Sequence, residues 1–202
     1  MNDIGVFLDR DSTINEEVDF LSSSNDLRLI PGSADAIREA NTLGFKVFII
    51  TNQSGIARGL LTEDQLTQIH QALLKKLQQH GASITAIYYC PHHPDNGEPP
   101  YRMNCDCRKP NTGLLSRAAK EYNVDLKKSF VIGDKMIDVQ TGNNIGAKSI
   151  LVLTGYGKEE LDLCRQNNVH IDHVTSDLHN AIQYVKEITQ ERSQDALQKS
   201  VR

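Results

Sequence analysis

Asp9 and Asp11 stand two residues apart, directly behind the apolar run 4–8. Two like charges at the edge of a core are costly unless a partner or a reaction uses them. The placement recurs along the chain. Thr51-Asn52-Gln53-Ser54 follows the apolar run 46–50, and Gly133-Asp134-Lys135 follows the run 129–133. Arg108-Lys109-Pro110 closes a long polar segment and precedes a helical pattern. A carboxylate such as Asp9 can attack phosphorus, splitting an ester hydrolysis into formation and breakdown of an aspartyl phosphate. Asp11 can protonate the leaving oxygen and then activate water. Mg²⁺ prefers oxygen ligands and keeps several waters, so Asp9 and Asp134 can share it, with Asp11 beside them as a further candidate ligand. The cation would let these acids tolerate one another. Thr51 and Lys109 can hold phosphoryl oxygens where charge develops. Asp138, one helical turn past Asp134, could orient Lys135 or a metal-bound water, or cap its helix. Singly, each motif reads as an ordinary turn. All four in order, three at strand ends and one between a long loop and a helix, point to phosphoryl transfer.

A second constellation is separate. Cys90 and His92 precede Cys105 and Cys107 by a spacer of twelve residues, inside a stretch poor in apolar side chains. Three thiols and an imidazole form a closed tetrahedral Zn²⁺ set of the structural kind, with no position left for catalysis. His93 could compete with His92, and the Cys-x-His spacing favours His92. Cys164 stands alone in a helical pattern and reads as a small buried side chain.

These groups need elements to position them. Apolar runs at 4–8, 46–50, 83–89, 129–133, 149–153 and 173–175 read as strands. Between them lie helical patterns at 33–44, 62–81, 112–123, within 136–147, near 158–166 and at 176–188. Ser33 and Thr62 are candidate N-caps, and Gly44 and Gly81 mark helix ends. This alternation implies βαβ units, and so an α/β, Rossmann-like, doubly wound and mostly parallel sheet with helices on both faces. Ligands of such sheets bind beyond the carboxyl ends of the strands, where the motifs lie. Residues 1–190 read as one domain with the 90–109 loop as its zinc-clipped excursion, and 191–202 as a polar, frayed tail.

The 202 residues carry a net charge of −4, which gives no electrostatic footprint for nucleic acid. A zinc-dependent nucleic-acid module would need a basic face, and only Arg102, Arg108 and Lys109 lie near the cysteines. No apolar run reaches the ~18 residues of a membrane span. The N-terminus lacks a basic region followed by an apolar stretch, so a cytoplasmic enzyme is expected.

The motifs DRDST, TN, Lys109 and GDKMID resemble the haloacid dehalogenase superfamily of phosphatases across roughly residues 4–153. Together with IYYCPHHP, CDCRKP and TNQSGIARG they resemble more closely its heptose-1,7-bisphosphate 7-phosphatase family. The histidinol-phosphate phosphatases are the nearest relatives, with a shorter loop between the ligand pairs. The resemblance implies no large cap domain and a zinc loop acting as a partial lid. A monomer acting on a small sugar phosphate, with neither nucleic acid nor membrane as partner, is expected. The resemblance also implies removal of the C7 phosphate in making heptose precursors of lipopolysaccharide or S-layer glycans, with histidinol phosphate as the alternative. The substrate contacts it implies are Asp9, Arg10, Asp11, Glu17, Val18, Asp19, Phe20, Thr51, Asn52, Gln53, Ser54, Arg108, Lys109 and Lys135. Ser12 departs from the pattern, since close relatives carry Gly there.

Overall fold

The computed structural model describes residues 3–200. Six strands form one sheet in the order β3-β2-β1-β4-β5-β6. They are β1 (Gly5–Leu8), β2 (Lys46–Asn52), β3 (Ala86–Cys90), β4 (Phe130–Gly133), β5 (Lys148–Val152) and β6 (His173–Thr175). Every neighbouring pair is parallel. The helices are α1 (Ser33–Thr42), α2 (Glu63–Gln79), α3 (Gly113–Tyr122), α4 (Met136–Ile145), α5 (Gly157–Gln166) and α6 (Leu178–Ser200).

The two-residue period of a strand explains the layering. Val6, Leu8, Val47 and Ile49 point into a core shared with Ile37, Leu66, Leu73, Ile182 and Val185 of α1, α2 and α6. Phe7, Phe48 and Ile50 point the other way, against Leu114, Leu115 and Ala118 of α3. Phe7 stacks on Phe48 with centroids 4.9 Å apart, a pairing that adds roughly 1 kcal/mol beyond burial. On α4, Gly142 lets the helix close on the sheet, because a Cβ there would lie 3.0 Å from Ser149. Cys164 is fully buried against Val139 and Leu151.

Some boundaries differ from the sequence pattern. Ser33 is the first helical residue and not the cap. Gly32, at φ 84°, takes the cap position, and the Ser33 hydroxyl donates to the carbonyl of Ile14 at 2.9 Å. Thr62 does cap α2, in a reciprocal box with Gln65. β3 starts at Ala86 and not 83, because the Ser83 backbone bonds both ends of the Asn41 amide on α1. The polar tail expected to fray continues α6 as far as Ser200.

β1 is flanked by β2 on one side and β4 on the other, so the chain reverses its winding there. The crevice above that switch point is where an open α/β sheet binds its ligand. Residues of the segment after β1, of the end of β2 and its following turn, and Lys109 near the end of the 90–112 loop line it. Among the described residues no segment forms a separate cap domain.

Candidate active site

Asp9 is the first residue past β1, its backbone still tied to the sheet through Ile132 O at 2.9 Å. Its Oδ1 accepts from the backbone N–H of Arg10 at 2.7 Å. The Lys109 ammonium lies 3.0 Å from the same oxygen and 2.5 Å from Asp138 Oδ1. Lys109 is only 3% exposed. Burial opposes its charge, but the two carboxylates outweigh that and raise its pKa, so it stays an ammonium. The Asp138 Oδ2 accepts from Lys135 N at 3.1 Å, so Asp138 also caps the start of α4. Gly133 makes this possible, since a Cβ there would sit 2.3 Å from Asp138 Oδ2.

Asp134 follows β4 and is fully buried. Its Oδ2 accepts from Tyr156 N at 3.1 Å, while its Oδ1 has no partner among the described residues. Burial, then the charges of Asp9 and Asp138, push its pKa up to about 7. Carboxylate oxygens of Asp9, Asp134 and Asp138 all lie within 4.8 Å of one another. An orphaned buried oxygen among three acids is the environment that a hard divalent cation relieves. The donor set therefore fits Mg²⁺.

Asp11, expected among the cation's ligands, is not in that group. Its carboxylate is occupied elsewhere. Arg10 grips it through Nε at 3.1 Å and Nη2 at 2.9 and 2.8 Å. Asn15 Nδ2 at 2.9 Å and Gln53 Nε2 at 3.0 Å complete the set. Burial works to raise its pKa, but the Arg10 charge and the hydrogen bonds prevail and lower it. Arg10 itself was expected to touch substrate. Its side chain is 1% exposed and bonds Asp11, and it is not among the residues that line the cavity.

A cavity of about 250 Å³ opens over these groups, lined by Asp9, Asp11, Thr51, Lys109 and Lys135. Glu17, Val18, Asp19 and Phe20 form its outer wall, with Asn52, Gln53 and Ser54 beside them. Thr51 is buried and its Oγ1 accepts from Gln53 Nε2 at 2.9 Å. Asn52 reaches the cavity but spends both ends of its amide on the Lys109 backbone. Arg108 is not among the lining residues, and its Nη1 donates to His92 O at 3.1 Å. Tyr156, not among the residues expected from the sequence, also lines the cavity, its ring 4.7 Å from Lys135 Nζ. It lies just past β5, and the same strand-end rule applied to that strand would have found it.

The second cluster forms as spaced. Cys90 ends β3, and its Sγ lies 3.5 Å from that of Cys105, which is 3.2 Å from Cys107 Sγ. His92 Nδ1 is 3.3 Å from Cys107 Sγ and 3.7 Å from Cys90 Sγ. These separations approach the roughly 3.7 Å edge of a tetrahedron with Zn–S bonds of about 2.3 Å, so the set fits Zn²⁺. His93 turns away, its Nδ1 accepting from the backbone N–H groups of Asp95 and Asn96. A second fastener went unnoticed in the sequence. Glu63 at the start of α2 accepts from Tyr89 at 2.5 Å and from Tyr101 of the loop at 2.7 Å.

Comparison with known proteins places this geometry. A profile of the family described as HAD-hydrolase-like matches residues 106–181. The D-glycero-beta-D-manno-heptose-1,7-bisphosphate 7-phosphatase of Photorhabdus laumondii is 43% identical over 152 residues, covering 74% of this chain and 80% of the relative. The D-glycero-D-manno-heptose-1,7-bisphosphate 7-phosphatase of Chlorobaculum tepidum is 39% identical over 183 residues, covering 88% and 91%. Among solved structures, the D,D-heptose 1,7-bisphosphate phosphatase of B. bronchiseptica, complexed with magnesium and phosphate, superposes with a TM-score of 0.79. It is 34% identical, covering 93% of this chain and 99% of that one.

Proposed function

Since this chain belongs to the heptose-1,7-bisphosphate 7-phosphatase family of HAD-like hydrolases and is a phosphatase, we propose that it removes the C7 phosphate of D-glycero-D-manno-heptose 1,7-bisphosphate through an aspartyl phosphate on Asp9. The observation that carries the chemistry is the buried Lys109 ammonium joining Asp9 to Asp138, beside the unpartnered Asp134 Oδ1. Support for the substrate comes from the relatives, whose names specify that activity.

The Asp9 oxygen remote from Lys109 attacks phosphorus as the ester bond breaks. Lys109 and Thr51 hold the phosphoryl oxygens as charge builds on them. Asp11 takes up a proton from solvent as substrate binds and gives it to the leaving C7 oxygen. It then takes one from the water that cleaves the aspartyl phosphate and frees inorganic phosphate. The Arg10 fork keeps Asp11 ionised at rest, so an arriving substrate has to draw the carboxylate out of that fork before it can carry a proton. Asp9 and Asp134 would hold Mg²⁺, which when bound offsets phosphoryl charge and lets two anions meet. Cys90, His92, Cys105 and Cys107 would hold a structural Zn²⁺ that keeps the loop against the cavity.

Residues 1–190 work as one catalytic unit, with 191–202 outside the chemistry. No helix among the described residues is long and apolar enough to cross a membrane. On this reading the protein is a cytoplasmic monomer acting on a free sugar phosphate, with neither nucleic acid nor membrane in the reaction.

Phosphorus NMR of the first product tests the substrate. Heptose 1-phosphate plus inorganic phosphate is expected. Earlier release of the C1 phosphate, or preferred cleavage of histidinol phosphate, would overturn the assignment.

A further inference from the structure

Ser12 occupies a place where glycine would be at ease. Its φ is 63°, in the left-handed region that non-glycine residues rarely enter. It is nonetheless buried and firmly held. Its N–H donates to Asn15 O at 2.7 Å, and its carbonyl accepts from the Thr154 hydroxyl. Gly155 makes room for the side chain, since a Cβ on Gly155 would lie 2.1 Å from Ser12 Cβ. A strained conformation kept in place from several sides calls for a use.

The use lies at the tip of the side chain. Ser12 Oγ donates to Glu17 Oε2 at 3.1 Å. Glu17 lines the cavity, and Lys135 Nζ stands 4.0 Å from the same oxygen. No donor among the described residues reaches Glu17 Oε1. One carboxylate oxygen is thus pinned, and the other remains an acceptor at the cavity.

We propose that Ser12 is a positioning residue, holding the Glu17 carboxylate so that its second oxygen accepts hydroxyl groups from the polyol stretch of the substrate. The idea rests on the sugar-phosphate reading above and adds how this chain recognises the sugar. A fixed anion there favours a neutral, hydroxyl-rich chain. It also disfavours placing a second phosphate against that wall, so the distal phosphate of a bisphosphate must leave the cavity on another side.

The test is Ser12→Gly, because glycine adopts the same φ and keeps the turn. Loss of a hydrogen bond to a charged group should raise KM for heptose 1,7-bisphosphate about five- to ten-fold with little change in kcat. For p-nitrophenyl phosphate, which has no polyol, kcat/KM should stay unchanged. In a Glu17→Ala background Ser12→Gly should add nothing further, as expected of one residue acting through the other. Equal losses on both substrates, an unchanged KM, or a full Ser12→Gly effect without Glu17 would each overturn the proposal. If the wild type cleaves p-nitrophenyl phosphate but not the heptose ester, the substrate reading fails on its own. The same comparison is then made with the best-cleaved sugar phosphate of a panel, and the same outcomes decide it.

Discussion

Asn52 and Lys109 exchange two hydrogen bonds. Asn52 Nδ2 donates to Lys109 O at 3.1 Å, and Lys109 N donates to Asn52 Oδ1 at 3.0 Å. The carboxyl end of β2 therefore grips the backbone of the lysine that faces Asp9. A lysine is a flexible point charge and is useful only if its origin is fixed. Asn52→Ala should lower kcat about ten-fold or more with a smaller change in KM, and should cost roughly 1–3 kcal/mol of stability through the two unpaired backbone groups. Steady-state kinetics beside urea unfolding checks both. A variant with normal kcat would show that Lys109 does not depend on this clamp.

The zinc-type cluster acts on the same lysine from the other side, because Cys107 precedes Arg108 and Lys109 directly. Cys105→Ser should release the metal and lower kcat about ten-fold, with the sheet still folded and added Mg²⁺ giving no rescue. The effect stops short of abolition because Asn52, and the Glu63 contacts to Tyr89 and Tyr101, still hold the loop. Metal analysis beside kinetics decides it. Zinc-free protein with unchanged kcat and KM would separate the cluster from catalysis.

The parallel sheet and the strand-end motifs were legible because strands buried on both faces read as short apolar runs, and each motif is local in sequence. The zinc-type set was legible for the same reason, as two close pairs. What stayed hidden depends on side-chain direction across the fold. Arg10 sits inside a reactive motif, yet it points inward to Asp11. Lys109 and Asp138 meet from 29 residues apart. Asn52 reads as a ligand contact, and the sequence gives no sign that its amide also clamps the Lys109 backbone. The extension of α6 was missed because a polar helix carries little apolar period to read.

His70 offers a pH test away from the chemistry. It is buried on α2, with Nε2 unpartnered among the described residues. Burial, then the nearby Arg10 charge, outweigh Asp11 and depress its pKa to about 3. The native state keeps it neutral, whereas the unfolded state takes up a proton near pH 6.5. Its contribution is fully present above about pH 6.5 and falls by about 1.4 kcal/mol per pH unit toward pH 3. Between pH 7 and pH 5 the wild type should therefore lose about 2 kcal/mol more than His70→Leu. Urea midpoints at the two pH values measure this, and parallel pH slopes for both proteins would refute the buried neutral imidazole.

Everything chemical at this site depends on Asp9 receiving the phosphoryl group. The direct measurement is an acid quench during turnover of heptose bisphosphate radiolabelled in its C7 phosphate, followed by peptide mapping. Acid-stable, hydroxylamine-labile label is expected on the peptide that contains Asp9. In Asp9→Asn the label should vanish and kcat should drop by about 10⁴-fold or more. Label on a different residue, or an Asp9→Asn protein that turns over at the wild-type rate, would contradict the assignment of Asp9 as nucleophile.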